Sequence, residues 1–275
     1  MNERAAATSP ALGADRFAIS TLCWQRKPVQ WGIARAAAMG FGWVDIGIIA
    51  GMTPIDVPQL AAEFDTLVPR WGEALTAHGV RVASFNARIA MDAGPGTARR
   101  EADALCRAAN ALKAEAGVTL GNGPADDMQP TLDHLTPILE VFASYGQTLM
   151  VESHRHNWTE RPEQTQRLLQ ALPGLKLTLD ASHYIALGYA PADWEVLLPY
   201  VEHCHVRPAA PGSIYVKTDE RDPRLDDWLR RMATSGYAGL FTFELIDDDG
   251  AYSEHETRRL SEALAEAGVV NLDRP

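Results

Sequence analysis

The sequence contains few cysteines, and their number and spacing do not suit a domain stabilised by disulfides or by structural zinc. Cys23, Cys106 and Cys204 are the only three in 275 residues, and no two of them stand at the close spacing of a zinc knuckle. An odd, widely spaced set indicates neither a disulfide framework nor a structural zinc site. We therefore expect three buried free thiols in a reducing compartment, and a cytoplasmic location.

The chain also lacks an excess of positive charge and long apolar runs. Its formal net charge is −11, from 25 Lys and Arg against 36 Asp and Glu. Phosphate contacts need clustered cations, so this balance disfavours nucleic acid as a partner. No run approaches the ~20 apolar residues of a membrane helix, so no membrane association is expected. Residues 1–15 lack the apolar core of a signal peptide and are predicted to form a disordered N-terminal tail.

The remaining chain alternates regularly between short apolar runs and amphipathic stretches. Residues 16–275 contain eight such strand–helix alternations, with no linker and no change of composition between them. Eight is the number that closes a parallel barrel, and chains of this length routinely form one barrel domain. The expected fold is a single α/β domain, a (β/α)8 TIM barrel over residues 16–275. Its first strand is predicted over Phe17–Cys23, and one long helix over Val57–His78.

Four of the apolar runs end in side chains that can bind a metal ion. Strand side chains alternate between faces, so in each run the polar tip points away from the apolar face. The first three tips are 25 to 28 residues apart, close to one strand–helix–strand unit, and parallel strands bring such ends to one side. We predict one metal site at the C-terminal face of the strands, with the ligands Glu152, Asp180, His205 and Glu244.

This donor set indicates which metals would bind. Carboxylate oxygens suit Mn²⁺ and Mg²⁺, while an imidazole also admits Co²⁺ or Zn²⁺, and the oxygen-rich mixture favours one Mn²⁺ ion. A lone strand-end glutamate is as often a surface ion-pair residue, but four ligands in phase favour metal binding. We interpret His203 as a hydrogen-bonding support of the site. One of His154 and His156 must face away from the site, and the sequence leaves open which.

With these motifs the chain resembles the xylose isomerase-like TIM barrels, a superfamily of sugar phosphate isomerases, epimerases and type-IV AP endonucleases. The layout of most of the chain fits this resemblance, while the specific motifs lie between residues 150 and 245. They are a strand-five glutamate (Glu152), Asp-x-x-His on strand six (Asp180 and His183), His-x-His on strand seven (His203 and His205) and a strand-eight glutamate (Glu244).

The resemblance implies a metal-dependent isomerase or epimerase acting on a ketose, sugar phosphate or keto-polyol through an enediolate. Glu152 and Glu244 would be the catalytic acid/base pair. A lyase, dehydratase or hydrolase acting on a keto-sugar, keto-inositol or keto-glycoside is the nearest alternative. A non-catalytic carbohydrate-binding subunit would have lost a ligand, and none is missing. Strands two and three offer only Asp45 and Asn86, whereas the endonucleases need early histidines.

The predicted substrate is a small carbohydrate or polyol. The residues predicted to contact it are His183, Arg207, His154, Trp24 and Asn86. Arg207 suits a substrate carboxylate, phosphate or hydroxyl pair. The ketose 3-epimerases carry a second glutamate six residues after the strand-five ligand, where this chain has Trp158, so substrate handling beside Glu152 must differ. The long connection Pro208–Pro223 is expected to border the site, and a homodimer or tetramer is left open.

The acidic composition and the missing early histidines predict that abasic-site DNA is not a substrate. A duplex with one abasic site should stay intact when incubated with the protein at low salt, with and without added Zn²⁺ or Mn²⁺. Denaturing gel electrophoresis measures the outcome. Efficient nicking that disappears in Glu244→Gln would contradict the prediction.

Overall fold

The computed structural model describes residues 11–271, except residues 125 and 249, and it contains a closed barrel of eight parallel strands. Each strand pairs with the next along the chain, and the last pairs with the first, Phe241 opposite Phe17. This confirms the predicted (β/α)8 barrel. In chain order the strands are β1 (Phe17–Ser20), β2 (Trp43–Ile48), β3 (Arg81–Ala87), β4 (Val118–Leu120), β5 (Leu149–Glu152), β6 (Lys176–Asp180), β7 (Val201–Val206) and β8 (Phe241–Phe243).

Helices connect the strands and cover the outside of the barrel. The α-helices are α1 (Val29–Ala38), α2 (Val57–Ala62), α3 (Phe64–His78), α4 (Pro95–Leu112), α5 (Gln129–Tyr145), α6 (Pro162–Ala171), α7 (Ala181–Ala186), α8 (Pro191–Trp194), α9 (Arg224–Thr234) and α10 (Ala251–Glu266). Short 3₁₀ helices lie at Ala14–Arg16, Thr21–Trp24, Trp158–Glu160, Glu195–Tyr200 and Thr218–Glu220. No helix of the described residues is long and apolar enough to cross a membrane.

The main core lies between the barrel and this helical layer, as helix α4 illustrates. Its buried residues Ala98, Ala102, Leu105 and Ala109 recur every three or four positions, so they lie on one face and pack inwards. Small residues on this face allow the helix to lie close to its neighbours. The predominantly polar and charged residues of its other face stay in water, as the composition of an amphipathic stretch requires.

Local backbone structure differs from the sequence prediction at two boundaries. The first strand ends at Ser20 rather than Cys23, because the Ser20 hydroxyl accepts a hydrogen bond from the Leu22 amide at 3.2 Å and starts a 3₁₀ turn. The long helix predicted over 57–78 is two helices, since Glu63 between them has φ −113° and ψ 22°. Asp56 caps the first of these helices by accepting from the Gln59 amide at 2.8 Å.

The predicted disordered tail of residues 1–15 is too long at its C-terminal end. Leu12–Gly13 pairs in parallel with Val270–Asn271, and the Leu12 amide donates to the Val269 carbonyl at 2.9 Å. The Leu12 side chain is buried. Residues 1–10, the rest of the predicted tail, lie outside the described residues.

The three cysteines are free and buried, as predicted. Burial raises the pKa of the Cys23 and Cys106 thiols to about 12 and also raises the pKa of Cys204. At pH 8 a thiol with such a pKa is a thiolate in only about one molecule in 10⁴, and the thiolate is the reactive form.

We therefore predict that the native protein does not react with a thiol-specific disulfide reagent at pH 8. The same reagent should titrate three thiols after unfolding in guanidinium chloride, and absorbance of the released chromophore counts them. Rapid reaction of even one thiol in the native protein would show that burial does not protect it.

Candidate metal centre

The four predicted ligands meet at the C-terminal end of the barrel. One ligand atom from each of Glu152, Asp180, His205 and Glu244 lies within 4.8 Å of the others, and all four residues are buried. The Nδ1 atom of His205 is 2.7 Å from Glu152 Oε1 and 3.5 Å from Glu244 Oε2. His205 therefore lies between two of the carboxylates with Nδ1 towards them.

The alternation of β6 and β7 explains why these side chains face inwards. Asp180 and Thr178 share one face of β6, and the Thr178 hydroxyl is 2.7 Å from the Thr119 hydroxyl across the barrel interior. In the register of the sheet, Asp180 lies opposite His205 and Thr178 opposite His203. The sheet thus fixes two ligands side by side, without any contribution from a loop.

Crowding of the carboxylates perturbs their protonation. Burial raises the pKa of Glu244 to about 7, although His205 and Arg207 act in the opposite direction. Burial alone would lower the pKa of His205, but Glu244 and Glu152 outweigh it and raise the pKa to about 10. The charge of His205 and its hydrogen bond overcome burial and hold the pKa of Glu152 below its usual range. Without a cation, the cluster therefore retains protons near neutral pH.

Arg207 supplies one positive charge to the cluster. Its Nη2 is 2.6 Å from Asp180 Oδ2 and also contacts Glu244 Oε2, and its side chain is buried. Its charge outweighs the effect of burial and lowers the pKa of Asp180. Arg207 was predicted to contact substrate; it lies at the expected position, but its guanidinium is bound to two metal-ligand candidates.

These residues fit a divalent cation. Three carboxylates and one guanidinium leave a formal charge of two minus when His205 is neutral, which a divalent ion would balance. The donors are oxygens and one imidazole nitrogen, a set that suits Mn²⁺, Mg²⁺, Co²⁺ or Zn²⁺. When neutral, His205 would offer the lone pair of Nδ1 to the metal ion and carry its proton on Nε2.

A layer of polar side chains lies directly below the four ligands. His203 Nε2 is 3.1 Å from the Ser84 hydroxyl and 2.9 Å from the Thr242 hydroxyl, in agreement with the predicted supporting role. Asp45 accepts hydrogen bonds from the hydroxyls of Ser20 and Ser84. This floor supports β7 from beneath and supplies hydrogen-bond partners to the buried polar groups below the ligands.

A pocket opens from the cluster towards solvent. It is lined by Leu22, Ile49, Met52, Asn86, Ala87, Arg88, Gly121, Glu152, His154, Asn157, Arg207, Ile214, Tyr215, Glu244 and Ile246. The connection after β7 supplies Ile214 and Tyr215, so the expectation that residues 208–223 border the site is confirmed. Tyr215 stands at the mouth and is 66% exposed.

Asn86, His154 and His183 reach the site in different ways. Asn86 Nδ2 donates to Glu244 Oε1 at 2.7 Å, so it orients a ligand and also lines the pocket. His154 lines the pocket, and its ring centroid is 4.1 Å from that of His183. His183 lies on α7, is fully buried, and has Nε2 3.6 Å from Asp180 Oδ2. It contacts a ligand candidate but not the pocket surface.

Trp24, predicted to contact substrate, does not line this pocket. Its indole Nε1 donates to Glu254 Oε1 at 2.9 Å, and the ring is buried beneath the start of α10. Gly250 precedes that helix with φ 92°, and a Cβ there would lie 1.8 Å from Trp24 Cδ1. The early end of β1 turns Trp24 away from the site, so its role is in packing.

Sequence reasoning missed several pocket residues. Arg88 follows β3 directly, and Ile49 and Met52 follow β2. One signal in the sequence could have identified Arg88. It stands two residues after Asn86, so the two side chains lie on the same side of an extended strand. For Ile49 and Met52 no such polar neighbour existed, and apolar residues after a strand are ordinarily assigned to the core.

A closed parallel barrel with carboxylates and a histidine at its strand ends is a TIM barrel with a candidate metal centre. The chain belongs to the xylose isomerase-like TIM barrel family, whose model matches residues 33–267. The comparison with curated proteins gives no significant match.

Several solved structures share the fold. The probable 3-DHS dehydratase AsbF of Bacillus anthracis, involved in petrobactin synthesis, has a TM-score of 0.72 and 15% identity over 91% of this chain and 98% of its own. A xylose isomerase-like TIM barrel protein of Mycobacterium smegmatis in complex with magnesium has a TM-score of 0.67 and 16% identity, over 94% of this chain and 98% of its own. A sugar phosphate isomerase/epimerase of Parabacteroides distasonis has a TM-score of 0.67 and 12% identity, over 97% of this chain and 98% of its own.

We predict about one divalent metal ion per chain, lost when a ligand is removed. Asp180→Asn and His205→Ala should each abolish stoichiometric binding, because the first removes a negative charge from the donor set and the second removes its one nitrogen donor. Elemental analysis of protein purified without chelators measures the occupancy.

Asp65→Asn and His78→Ala are matched controls, because both residues are exposed on α3. Circular dichroism establishes that each variant is folded. Full occupancy in a folded Asp180→Asn or His205→Ala protein would reject that residue as a ligand.

Proposed function

We propose that the chain is a divalent-metal-dependent isomerase or epimerase acting on a hydroxy ketone such as a ketose, sugar phosphate or keto-polyol. The observation that carries the proposal is the placement of Glu152 and Glu244, which come from β5 and β8, flank His205 and line one pocket. Two carboxylates in such positions can serve one substrate carbon from two directions. Membership of the family supports the same reaction class.

Glu152, Asp180, His205 and Glu244 would hold the metal ion. When bound, a divalent cation would polarise the substrate carbonyl and stabilise the negative charge that develops on its oxygen. We favour Mn²⁺ for its match to the oxygen-rich donor set. A similar fold has been solved in complex with magnesium, which supports a hard divalent cation in general.

The two glutamates differ in how they are held. Glu244 accepts from Asn86 on Oε1 and contacts Arg207 through Oε2, so both oxygens are engaged. In the described part of the chain, the Glu152 side chain accepts a hydrogen bond from His205 on Oε1 alone. We therefore assign Glu152 to removal of the proton, with its Oε2 as the accepting atom, and Glu244 to return of the proton.

The balance of the reaction follows from this assignment. Glu152 takes the proton from the carbon next to the carbonyl, and the electron pair of that C–H bond forms the carbon–carbon double bond of an enediolate. Return of a proton to the other face of the same carbon gives an epimer. Its return to the former carbonyl carbon gives an isomer, and the proton of the neighbouring hydroxyl then passes to the former carbonyl oxygen. Glu152 ends this step protonated and Glu244 deprotonated, and exchange of protons with the solvent in the pocket restores both glutamates before the next cycle.

A lyase is the second candidate, and a specific observation supports it. AsbF, one of the similar structures, is described as a probable dehydratase. The same proton removal, followed by departure of a hydroxyl group from the adjacent carbon as water, would give dehydration. Here Glu244 would protonate the leaving hydroxyl instead of carbon, so the two candidates share residues and differ in the fate of the enediolate.

The chemistry predicts metal-dependent exchange of one substrate hydrogen with solvent. A panel of ketoses, sugar phosphates and keto-polyols in D₂O, followed by NMR, should identify a substrate that gains deuterium next to its carbonyl only when metal is present. Glu152→Gln and Glu244→Gln keep the shape but remove the base, so exchange should fall about 10²-fold or more.

The comparison is made at matched metal occupancy, because both glutamates are also ligand candidates. Glu163→Gln, an exposed change on α6, is the control and should exchange normally. Product without solvent deuterium on carbon would favour hydride transfer or hydrolysis. Deuterated product that has lost water would select the lyase.

A further inference from the structure

Arg88 extends β3 towards the mouth of the pocket. Its amide donates to the Ile48 carbonyl at 3.3 Å, which continues the ladder between β2 and β3 by one residue. Side chains two residues apart on a strand share a face and are separated by roughly 7 Å. Because Asn86 reaches Glu244, Arg88 stands one such step nearer to solvent on the same side, and both residues line the pocket.

Arg88 differs from Arg207 in what neutralises it. The buried Arg207 guanidinium is bound to Asp180 and Glu244. Arg88 is exposed, and within residues 11–271, leaving out 125 and 249, no carboxylate lies at ion-pair distance from it. Of the two arginines that line the pocket, Arg207 is neutralised by protein carboxylates, and among the described residues Arg88 is not.

The pocket that Arg88 lines has apolar as well as polar walls. Ile49, Met52, Ile214 and Ile246 line the same pocket. Apolar walls reduce the screening by water, so a charge–charge contact is stronger there than on an open surface. An arginine is also able to bind carboxylate or phosphate with two parallel N–H groups.

We propose that Arg88 binds an anionic group, a carboxylate or a phosphate, at the end of the substrate opposite to its reacting hydroxy ketone. The inference rests on the proposed function for the position of that reacting end. It narrows the substrate class to acidic or phosphorylated ketoses and keto-polyols. The chain carries a net charge of −11, so a local cation at the mouth would favour an anionic substrate against the overall charge.

Three ligands with one common reacting end test this. D-fructose, D-fructose 6-phosphate and D-fructuronate share the C1 hydroxyl and the C2 carbonyl and differ at C6, which is neutral, phosphorylated or a carboxylate. Calorimetric titration of the Mn²⁺-loaded protein measures the affinity of each. The wild type should bind at least one charged ligand about tenfold or more tightly than fructose, and the ratio between the two charged ligands identifies the anion.

Arg88→Gln should reduce the charge preference to near one, because affinity for the charged ligands should fall far more than affinity for fructose, and Arg88→Lys should retain part of the preference. Arg70→Gln, an equal change of charge on the exposed face of α3, is the matched control. An unchanged preference in Arg88→Gln overturns the proposal. A wild type that binds none of the ligands, or binds all three equally, also overturns it.

Binding and exchange separate this inference from the proposed function. A charge preference that depends on Arg88, in a protein that exchanges no substrate hydrogen, supports the anion subsite and rejects the isomerase. Exchange that proceeds normally while Arg88→Gln keeps the full charge preference supports the isomerase and rejects the subsite.

Discussion

The mutual repulsion of three buried carboxylates is the constraint on which the rest of the site depends. Glu152, Asp180 and Glu244 present oxygens within 4.8 Å of one another, where little water screens them. Such a cluster is stable only if cations or protons neutralise it. Arg207 supplies one positive charge, and the raised pKa values of His205 and Glu244 record that this alone is insufficient. The cluster thus carries a negative charge that a divalent cation could balance.

The polar floor below the ligands follows from the same constraint. An apolar barrel interior would increase the cost of burying charge, and the hydroxyls of Ser20, Ser84 and Thr242 reduce it by donating to or orienting Asp45 and His203. The hydrophobic core is displaced outwards, to the space between strands and helices. Most of the apolar area is therefore buried between the strands and the helices, and the polar groups of the site are grouped inside the barrel.

The sequence predicts most of this site because strand geometry converts it directly into position. Alternation and spacing place Glu152, Asp180, His205 and Glu244 at one end of a closed barrel, with no need to know any loop. Prediction from strand alternation fails where a local turn decides the direction of a side chain. The hydrogen bond from the Leu22 amide to the Ser20 hydroxyl accompanies the early end of β1. Trp24 then lies against Glu254 and not in the pocket for which it was predicted. The sequence places Arg207 near the ligands, but only the three-dimensional contacts show that its guanidinium is bound to Asp180 and Glu244.

The pairing of Leu12–Gly13 with Val270–Asn271 has a consequence for how the molecule can be attached to other bodies. Both segments lie at the entry side of the strands, since Leu12–Gly13 precedes β1 and Val270–Asn271 follows the return of α10. The pocket opens on the other side. A tether, label or neighbouring domain joined near residue 12 or residue 271 would therefore contact the closed base of the barrel. A molecule immobilised in this way would present the mouth of its pocket to the bulk solution from which a substrate arrives.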